Sequence, residues 1–584
     1  MYCKYYFAIL LFWANTALFA QNNNEILSNL YDLEEKGRQL KGDTAALSIF
    51  AKLQNEYLKK ECWEDYLRIS RRISMCLHIQ SNYDVALDTL QRASKAIIPQ
   101  LGAEHELMGG LYNNLAVLFE QKNNYKQAAI FYEKALLLRE KYNPNTYGLA
   151  NTYQNIASFY NKKGDYEQGL RYAQQGLTII SNYRKDGDIT YQKHKKSLLY
   201  SRIAYIFHAQ KKYKTANYYL NLATKESNDA TRSIELYDAQ GDNYLELAQY
   251  DSAYYFLQKA RKLDTKHSLT DLIHLNIGRY YRDKTVPDYQ TALDTFEVSL
   301  KETKAIFGKN HAYVGVAYKH IAQTYALQKK WQQALHYYQK SLHILVPSLT
   351  DTLDFYQNPT KLNVNDKQKT LETLKQKAQT LFQLHQESQQ EKDLQASLHT
   401  YQLAVALIDT IRKDYFAEES KYSLAEEALP IYEQAIETAI TAKEFELAFE
   451  FAEKGKAIIL LEATHDRKAK ISLPDSLTTK EYALKKDIAF YKKQIFDEKQ
   501  KAKQDSTRMQ DYETRLFEKQ RQHEDLKRYL KANFTNYYRS KYDIKTVSVK
   551  EIQQNLLQQN IFQQLTQESK ACLLYTSPSP RDMW

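Results

Sequence analysis

A twelve-residue interval recurs along this chain: a small residue, an aromatic nine positions on, and a second small residue three further. The clearest copies are Ala116–Tyr125–Ala128, Ala157–Tyr166–Gly169, Ala204–Tyr213–Ala216, Gly241–Tyr250–Ala253 and Ala322–Trp331–Ala334. Each continues with a small residue seven positions later, at Ala135, Gly176, Ala223, Ala260 and Ser341. Self-similarity at a fixed period specifies a stack of identical supersecondary units, which rules out a conventional multidomain reading of the 584 residues. A chain of this kind works by holding another molecule rather than by chemistry of its own.

The unit reads as two helices. Tyr112, Leu115, Ala116 and Phe119 fall at i, i+3, i+4 and i+7, which is one helical face. Asn123-Asn124 interrupts the pattern, and Tyr125, Ala128, Ala129, Tyr132, Ala135 and Leu136 form a second face. The small residues mark where two helix backbones approach closely, with aromatics filling the space beside them. Scarce glycine (15) and proline (9) suit long helices with short turns. The 49 tyrosines are explained by these core positions, not by base stacking. The net charge of +11 is spread among interleaved acids and bases, without the basic stripe of a nucleic-acid footprint.

These residues resemble the tetratricopeptide repeat, a helix–turn–helix with large, small and aromatic residues at these offsets. The first small position falls at Ser74, Ala116, Ala157, Ala204, Gly241, Gly278 and Ala322, at intervals of 42, 41, 47, 37, 37 and 44. All exceed the family's minimal repeat of about 34. The copy at Gly278 carries two extra residues around Val286-Pro287, which enlarges its turn. Degenerate copies flank the run: one around 30–50, one at Ala378 with Leu394-Gln395-Ala396, and one from Tyr432 to Gly455 with Phe445, Ala448 and Ala452. Thr350 to Asp366, with Asn358-Pro359, reads as an exposed loop or a bend. The resemblance implies an all-α, right-handed superhelical solenoid whose concave wall is formed by the first helix of each pair.

That wall supplies the candidate partner contacts. Asn114, Asn155 and Asn276 recur two residues before the small position. Repeats of this family often hold a partner's extended backbone with such asparagines, although the same amides also suit bonds between neighbouring helices. Further groove candidates are Asn113, Gln154, Tyr205, His208, Asp238, Arg279, Arg282 and Lys319. Their mixed character predicts a protein or peptide rather than a simple carboxylate or phosphate ligand. No catalytic residue, metal site or cofactor is expected: the histidines lack convergent partner ligands, and Gly308-Lys309 lacks the rest of a phosphate loop.

After the last copy comes a highly charged segment, Leu477 to Phe534. Apolar residues recur at Leu484, Ile488, Tyr491 and Ile495, then at Leu516, Leu526, Tyr529 and Leu530, with His523 on the same face. Two antiparallel helices with one apolar seam, a coiled-coil-like hairpin, fit this pattern. The order resembles the region preceding the peptidase-like module of CHAT proteins, which are related to caspases. The matching residues are Ala448, Phe449, Ala452, Glu453, Lys456, Ala457, Leu460, Leu461 and Glu462, then Tyr542, Val547, Ser548, Val549, Glu551, Ile552 and Gln553. In that family a downstream histidine activates a cysteine thiol. Here no histidine follows His523, and Cys572 to Trp584 resembles a translated sequencing adapter. Cys572 is therefore not taken as a catalytic thiol, and the chain as given is not expected to be an enzyme.

At the other end, Lys4 precedes the apolar run Tyr5 to Phe19, and Leu18-Phe19-Ala20 offers a cleavage site, as in an export signal. No later stretch is apolar enough to span a bilayer. Cys62 and Cys76, 14 apart on what read as consecutive helices, are either a disulfide pair or two buried thiols. The expected organisation is a signal peptide (1–20), a repeat solenoid (21–463), a charged hairpin (464–535), the start of a truncated CHAT-like module (536–571) and an adapter-derived tail (572–584). The expected function is an exported, periplasmic or cell-surface scaffold that binds a protein or peptide in the groove. The alternative is the sensory half of a signalling protein with a lost output domain.

Overall fold

The computed structural model describes residues 44–80, 82–122, 124–183, 189–227, 229–265, 269–360, 362, 364, 366–414, 418–456, 473–499 and 505–534, with the isolated positions 537, 551 and 554. The export signal, the CHAT-like stretches 457–462 and, apart from Glu551, 542–553, and the tail with Cys572 lie outside the described residues. Among the described residues all regular structure is helical.

Helix α1 (Thr44–Lys59) precedes a series of helix pairs. These are α2 (Trp63–Ile79) with α3 (Tyr83–Leu101), α4 (Met108–Gln121) with α5 (Tyr125–Tyr142), α6 (Tyr147–Lys163) with α7 (Tyr166–Asn182), and α8 (Ile189–Ala209) with α9 (Tyr213–Glu226). There follow α10 (Ala230–Glu246) with α11 (Tyr250–Leu263), α12 (Thr270–Asp283) with α13 (Tyr289–Phe307), α14 (Ala312–Leu327) with α15 (Trp331–Leu345), and α16 (Lys367–Ser388) with α17 (Glu391–Asp414). Helix α18 (Glu418–Thr441) pairs with a helical segment over 445–456. The hairpin is α19 (Asp475–Lys499) with α20 (Ser506–Asn533). The chain divides into two compact units: residues 1–160, 169–207 and 214–236 form the first, and 161–168, 208–213 and 237–584 the second.

The recurring interval now has a physical cause. The recurring aromatic is the first residue of the second helix at Tyr83, Tyr125, Tyr166, Tyr213, Tyr250, Tyr289 and Trp331. Two positions before it, the backbone turns left-handed, at Glu61 before Trp63, and at Gly164, Lys211, Ala248 and Lys329, with φ between 54° and 80°. This residue closes the first helix with paired bonds. Ala248 N–H donates to Leu245 O and Gln249 N–H to Tyr244 O, both at 2.9 Å. Lys329 and Lys330 repeat the pattern onto Ala326 and Tyr325, again at 2.9 Å. This is the Schellman ending of a helix, which satisfies carbonyls that would otherwise be orphaned. Seven residues from the small position to the left-handed one, plus two, give the interval of nine.

The small residues sit at the helix crossing. Ala116, Ala128, Ala135, Ala157, Ala216, Ala253, Ala260, Ala292, Ala322 and Ala334 are all fully buried. A Cβ on Gly278 would lie 2.6 Å from the Phe296 ring, so only glycine fits there. Ser341 Oγ donates to Gly315 O at 2.8 Å, and Ser299 Oγ to Asp271 O at 2.7 Å, which binds second helix to first through the backbone itself. The turn also aligns an aromatic pair whose members are twelve residues apart. Phe119–Phe131, Tyr160–Tyr172, Phe207–Tyr219, Tyr244–Phe256 and Tyr325–Tyr337 all stack, with ring centroids 5.4–5.7 Å apart. Each such pair contributes about 0.5–1.5 kcal/mol beyond its burial.

Three expectations need correction. Cys62 precedes the first residue of α2 and Cys76 lies within it, so they share one helix; 14 residues at about 1.5 Å each separate them by about 21 Å, far beyond disulfide reach. Both are free thiols. Second, the stretch from Thr350 to Asp366 is not simply exposed, although Leu353 is. Gln339 Nε2 donates to the carbonyls of Asp351, Asp354 and Gln357 at 3.0–3.2 Å. Lys377 Nζ, fully buried, donates to Gln339 Oε1, Gln357 O and Asn358 Oδ1 at 2.9–3.1 Å. Burial pulls this lysine down to about 7, with Asp354 opposing, while three acceptors call for the three donors that only the ammonium has. Third, Tyr529 leaves the hairpin seam for solvent, and Phe517 is buried instead. The enlarged turn at Val286-Pro287 stands: Asp288 N–H reaches Tyr281 O at 2.8 Å, and the left-handed residue is absent there.

The hairpin is antiparallel. Lys519 Nζ meets Asp487 Oδ2 at 3.0 Å and Tyr491 faces Tyr512, while Leu484, Leu526 and Leu530 pack with Leu473 and Tyr537. His523 lies 3.7 Å from the buried Glu481, whose other oxygen accepts from Tyr537 at 3.1 Å.

Lysine at position 329 holds a conformation that costs an L-residue roughly 1–2 kcal/mol, where the copy at Gly164 has glycine. Lys329→Gly is expected to raise stability by about 0.5–1 kcal/mol after the added chain entropy of glycine is counted. Lys329→Val is expected to lower it. Thermal unfolding followed by circular dichroism checks both directions.

Candidate partner-binding site

Each sequence-derived candidate lies on a first helix of a pair. In the first unit, Asn113 and Asn114 are on α4, Gln154 and Asn155 on α6, and Tyr205 on α8. Asn155 Nδ2 donates to Asn113 Oδ1 at 3.2 Å, and Asn113 Nδ2 to Asn114 Oδ1 at 3.4 Å. The asparagines thus bond neighbouring first helices, the second of the two roles open to them. Arg202 lies over the Tyr205 ring at 6.0 Å. Gln154 is half-buried and makes no side-chain bond to a described residue.

In the second unit the candidates form a ladder of polar bonds, in three groups, between successive first helices. Asn276 Nδ2 donates to both oxygens of Asp238, at 3.0 and 3.1 Å. Arg279 pairs with Asp242 and, at 2.5 Å, with Glu246. His208 Nδ1 meets Asn243 Oδ1 at 2.6 Å, and its Nε2 lies 3.6 Å from Asp242. Arg282 forks onto Asp283 at 2.6 and 2.7 Å and donates to Gln323 Oε1 at 2.8 Å. Its Nη1 also lies 3.1 Å from Nδ1 of the buried His320, which stacks on Phe296. Lys319 Nζ donates to Glu372 Oε2 at 2.7 Å. The bonding partners Asp242, Asn243, Glu246, Asp283, Gln323 and Glu372 were not singled out in the sequence. Their signal was present in spacing: Asp242 and Glu246 follow Asp238 at i+4 and i+8, on the same helical face.

The ladder sets its own charges. Burial pushes the Asp238 carboxyl up to about 7; the Asn276 amide pulls it down, and nearby Asp242 pushes it further up. Burial also raises Asp242, but the Arg279 guanidinium and His208 outweigh it and hold that carboxyl below the usual range. Arg279 is correspondingly raised, since Asp242 and Glu246 overcome the effect of burial. Burial, with Lys319, Arg282 and Arg279 nearby, drives His320 well below its ordinary value, so it stays neutral.

Beside the ladder, α12, α14, α15 and α16 enclose an open pocket of about 430 Å³. Its lining includes Arg282, Gln323, Trp331, Gln376, Gln379 and Gln383. Four of its lining residues, Gln323, Gln376, Gln379 and Gln383, are neutral amides with both donors and acceptors. The buried Trp331 Nε1 and Gln376 Oε1 have no hydrogen-bond partner. Among the described residues no group of three or more potential metal ligands comes together. No described helix is long and apolar enough to cross a membrane.

The tetratricopeptide repeat family matches residues 65–141 and 271–345, and the chain carries these repeats. No curated protein matches the chain. Among solved structures it is similar to the apo form of the quorum sensor NprR from B. thuringiensis, at 16% identity over 54% of this chain and 87% of that one, with a TM-score of 0.43. It is also similar to a Rap protein complexed with competence and sporulation factor, at 13% identity over 74% and 97% of the two chains, with a TM-score of 0.41. A third is PH0952 from Pyrococcus horikoshii, a signal transduction ATPase with numerous domains and a tetratricopeptide repeat sensor. It shares 16% identity over 72% of this chain and 63% of that one, with a TM-score of 0.36.

The Asp238 carboxyl titrates near 7 when folded and near 3.8 when unfolded. Between these values the folded state binds the extra proton, so stability falls as pH rises through the window. Asp238→Asn removes the ionisation while keeping an acceptor for Asn276. It is expected to stabilise the protein by roughly 1–2 kcal/mol at pH 8, after allowance for solvent screening, and to leave pH 4 nearly unchanged. Melting temperatures across that range check this.

Proposed function

We propose that this chain is a protein-interaction scaffold that holds an extended segment of a partner protein against the first helices of its second unit. The observation that carries this reading is the amide-lined pocket between α12, α14, α15 and α16. Glutamine side chains can pair with successive main-chain N–H and C=O groups whatever the partner's side chains, and Trp331 in the lining supplies apolar contact. The charged ladder beside it is already internally paired, so it fixes the wall's shape rather than supplying free charges.

A photo-crosslinking residue at Gln379, on the exposed side of the pocket, is expected to join the full chain to one extended segment of a partner. Gln379→Ala with Gln383→Ala is expected to weaken capture about tenfold without changing the melting temperature. Crosslinks scattered over unrelated proteins, or capture indifferent to the double substitution, would sink the reading.

We infer further that the protein is exported and works beside a caspase-related CHAT-like module. Lys4 with the apolar run Tyr5 to Phe19 supports the first part, and the matching residues from Ala448 to Glu462 and from Tyr542 to Gln553 support the second. The mature protein is expected to begin at Gln21 when its terminus is read by mass spectrometry. The gene read beyond codon 571 is expected to encode a β-rich module with a histidine and a cysteine. An intact terminus or a different continuation refutes the corresponding part.

A further inference from the structure

Two guanidinium groups in the first unit have no counter-charge among the described residues. Arg71 on α2 and Arg139 on α5 form no hydrogen bond or ion pair with any described residue, and the Nε of each is buried without a partner. Both residues are half-buried, so each keeps some surface open to solvent. Arg71 has cationic neighbours, and burial lowers Arg139. Arg71 is held down at about 10 by burial, then by Arg139 and by neighbouring Arg72.

The placement of the two groups deepens the mismatch. A Cβ on Gly110 would collide with Arg71 Nη1, and one on Gly148 with Arg139 Nη1. Gly110 lies in the first turn of α4 and Gly148 in the first turn of α6. Each guanidinium is therefore laid on the N-terminal end of a helix, where the helix dipole presents about half a positive charge. The first amides of α4 bond back to His105, Glu106 and Leu107, so what remains there is the dipole's field. Helix α4 also has no side-chain cap, whereas Thr146 Oγ1 caps α6 by accepting from Leu149 N–H at 3.3 Å. Two glycines thus make room for cations at two positive helix ends. This arrangement opposes folding stability unless a negative group completes it.

The geometry points to an oxyanion-binding site between Arg71 and Arg139, for a phosphate or carboxylate group held by the two guanidinium forks over the starts of α4 and α6. The forks match the planar or tetrahedral oxygens of such a group bidentately, and the helix ends add to the attraction. Neither arginine was among the groove residues singled out in the sequence, whose mixed character predicted no simple anion ligand. The site stands independently of the amide-lined pocket in the second unit.

Calorimetric titration of the full chain at low ionic strength, with inorganic phosphate and separately with a hexaglutamate peptide, tests the assignment. At least one probe is expected to bind and to raise the melting temperature. Binding of phosphate assigns the site to a free or esterified phosphate, and binding of hexaglutamate alone assigns it to carboxylates. Arg71→Met and Arg139→Met are each expected to weaken binding about 10–100-fold, the loss of a charged hydrogen-bonding partner. In ligand-free protein either substitution is expected to hold or raise the melting temperature, because it relieves repulsion between like charges. Arg508→Met, a change at an exposed arginine of the hairpin, is expected to leave binding unchanged. The proposal is overturned if neither probe binds, if Arg508→Met weakens binding as much as the site variants do, or if both site variants bind normally. Destabilisation of the ligand-free protein by both arginine substitutions also overturns it, since that marks a structural role.

Discussion

The closest approach of two helix backbones governs this fold. Where Gly278 meets the Phe296 ring and Ser341 reaches the carbonyl of Gly315, there is no space for a larger side chain. That crossing fixes the angle of each pair, and the left-handed turn fixes its phase. Once both are set, the stacked aromatic pairs follow without further instruction, because residues twelve apart must then face each other. Each repeat therefore restates one geometric solution. Variations in length are confined to places that leave the crossing untouched, such as the two extra residues near Pro287 and the long segment before α16.

Polar side chains on the first helices serve that same stacking. Asn155 bonds Asn113, Asn276 bonds Asp238, and Arg279 bridges Asp242 and Glu246. Charges buried in this way are retained only when paired, and their pairing makes the spacing between repeats specific. A wall whose charges are spent on itself recognises partners through what is left over. Left over, among the described residues, are neutral amides in one unit and two arginines without a described partner in the other.

The repeat was legible because its determinants are compositional: only small residues fit the crossing, and they recur. The hairpin was legible from its seam, and only Tyr529 was placed on the wrong side of it. The turns were hidden because Lys211, Ala248 and Lys329 occupy a conformation that ordinarily advertises itself with glycine. Lysine at 377 gave no hint of burial, since lysine is rarely buried and its three acceptors come from a helix and a loop. The recurring asparagines lie on first helices, where Asn155 bonds Asn113 and Asn276 bonds Asp238. Whether an amide on such a helix faces a partner or the next helix depends on the offset between repeats, which only the structure gives. Arg71 and Arg139 escaped notice because they are 68 positions apart and neither sits in a motif.

The buried lysine has a mechanical consequence. Within each unit, most helices are secured only by the neighbours before and after them, so tension applied along the chain would peel the array pair by pair. Between α15 and α16 the rule changes. Lys377 and Gln339 grip the same span of loop from opposite helices, with Tyr356 and Asn358 tying it onward to Asp393 and Thr400 of α17. Helix, loop and helix must let go together. This clasp makes one segment of an otherwise incremental chain yield as a block, a detent at which stepwise unravelling would stall.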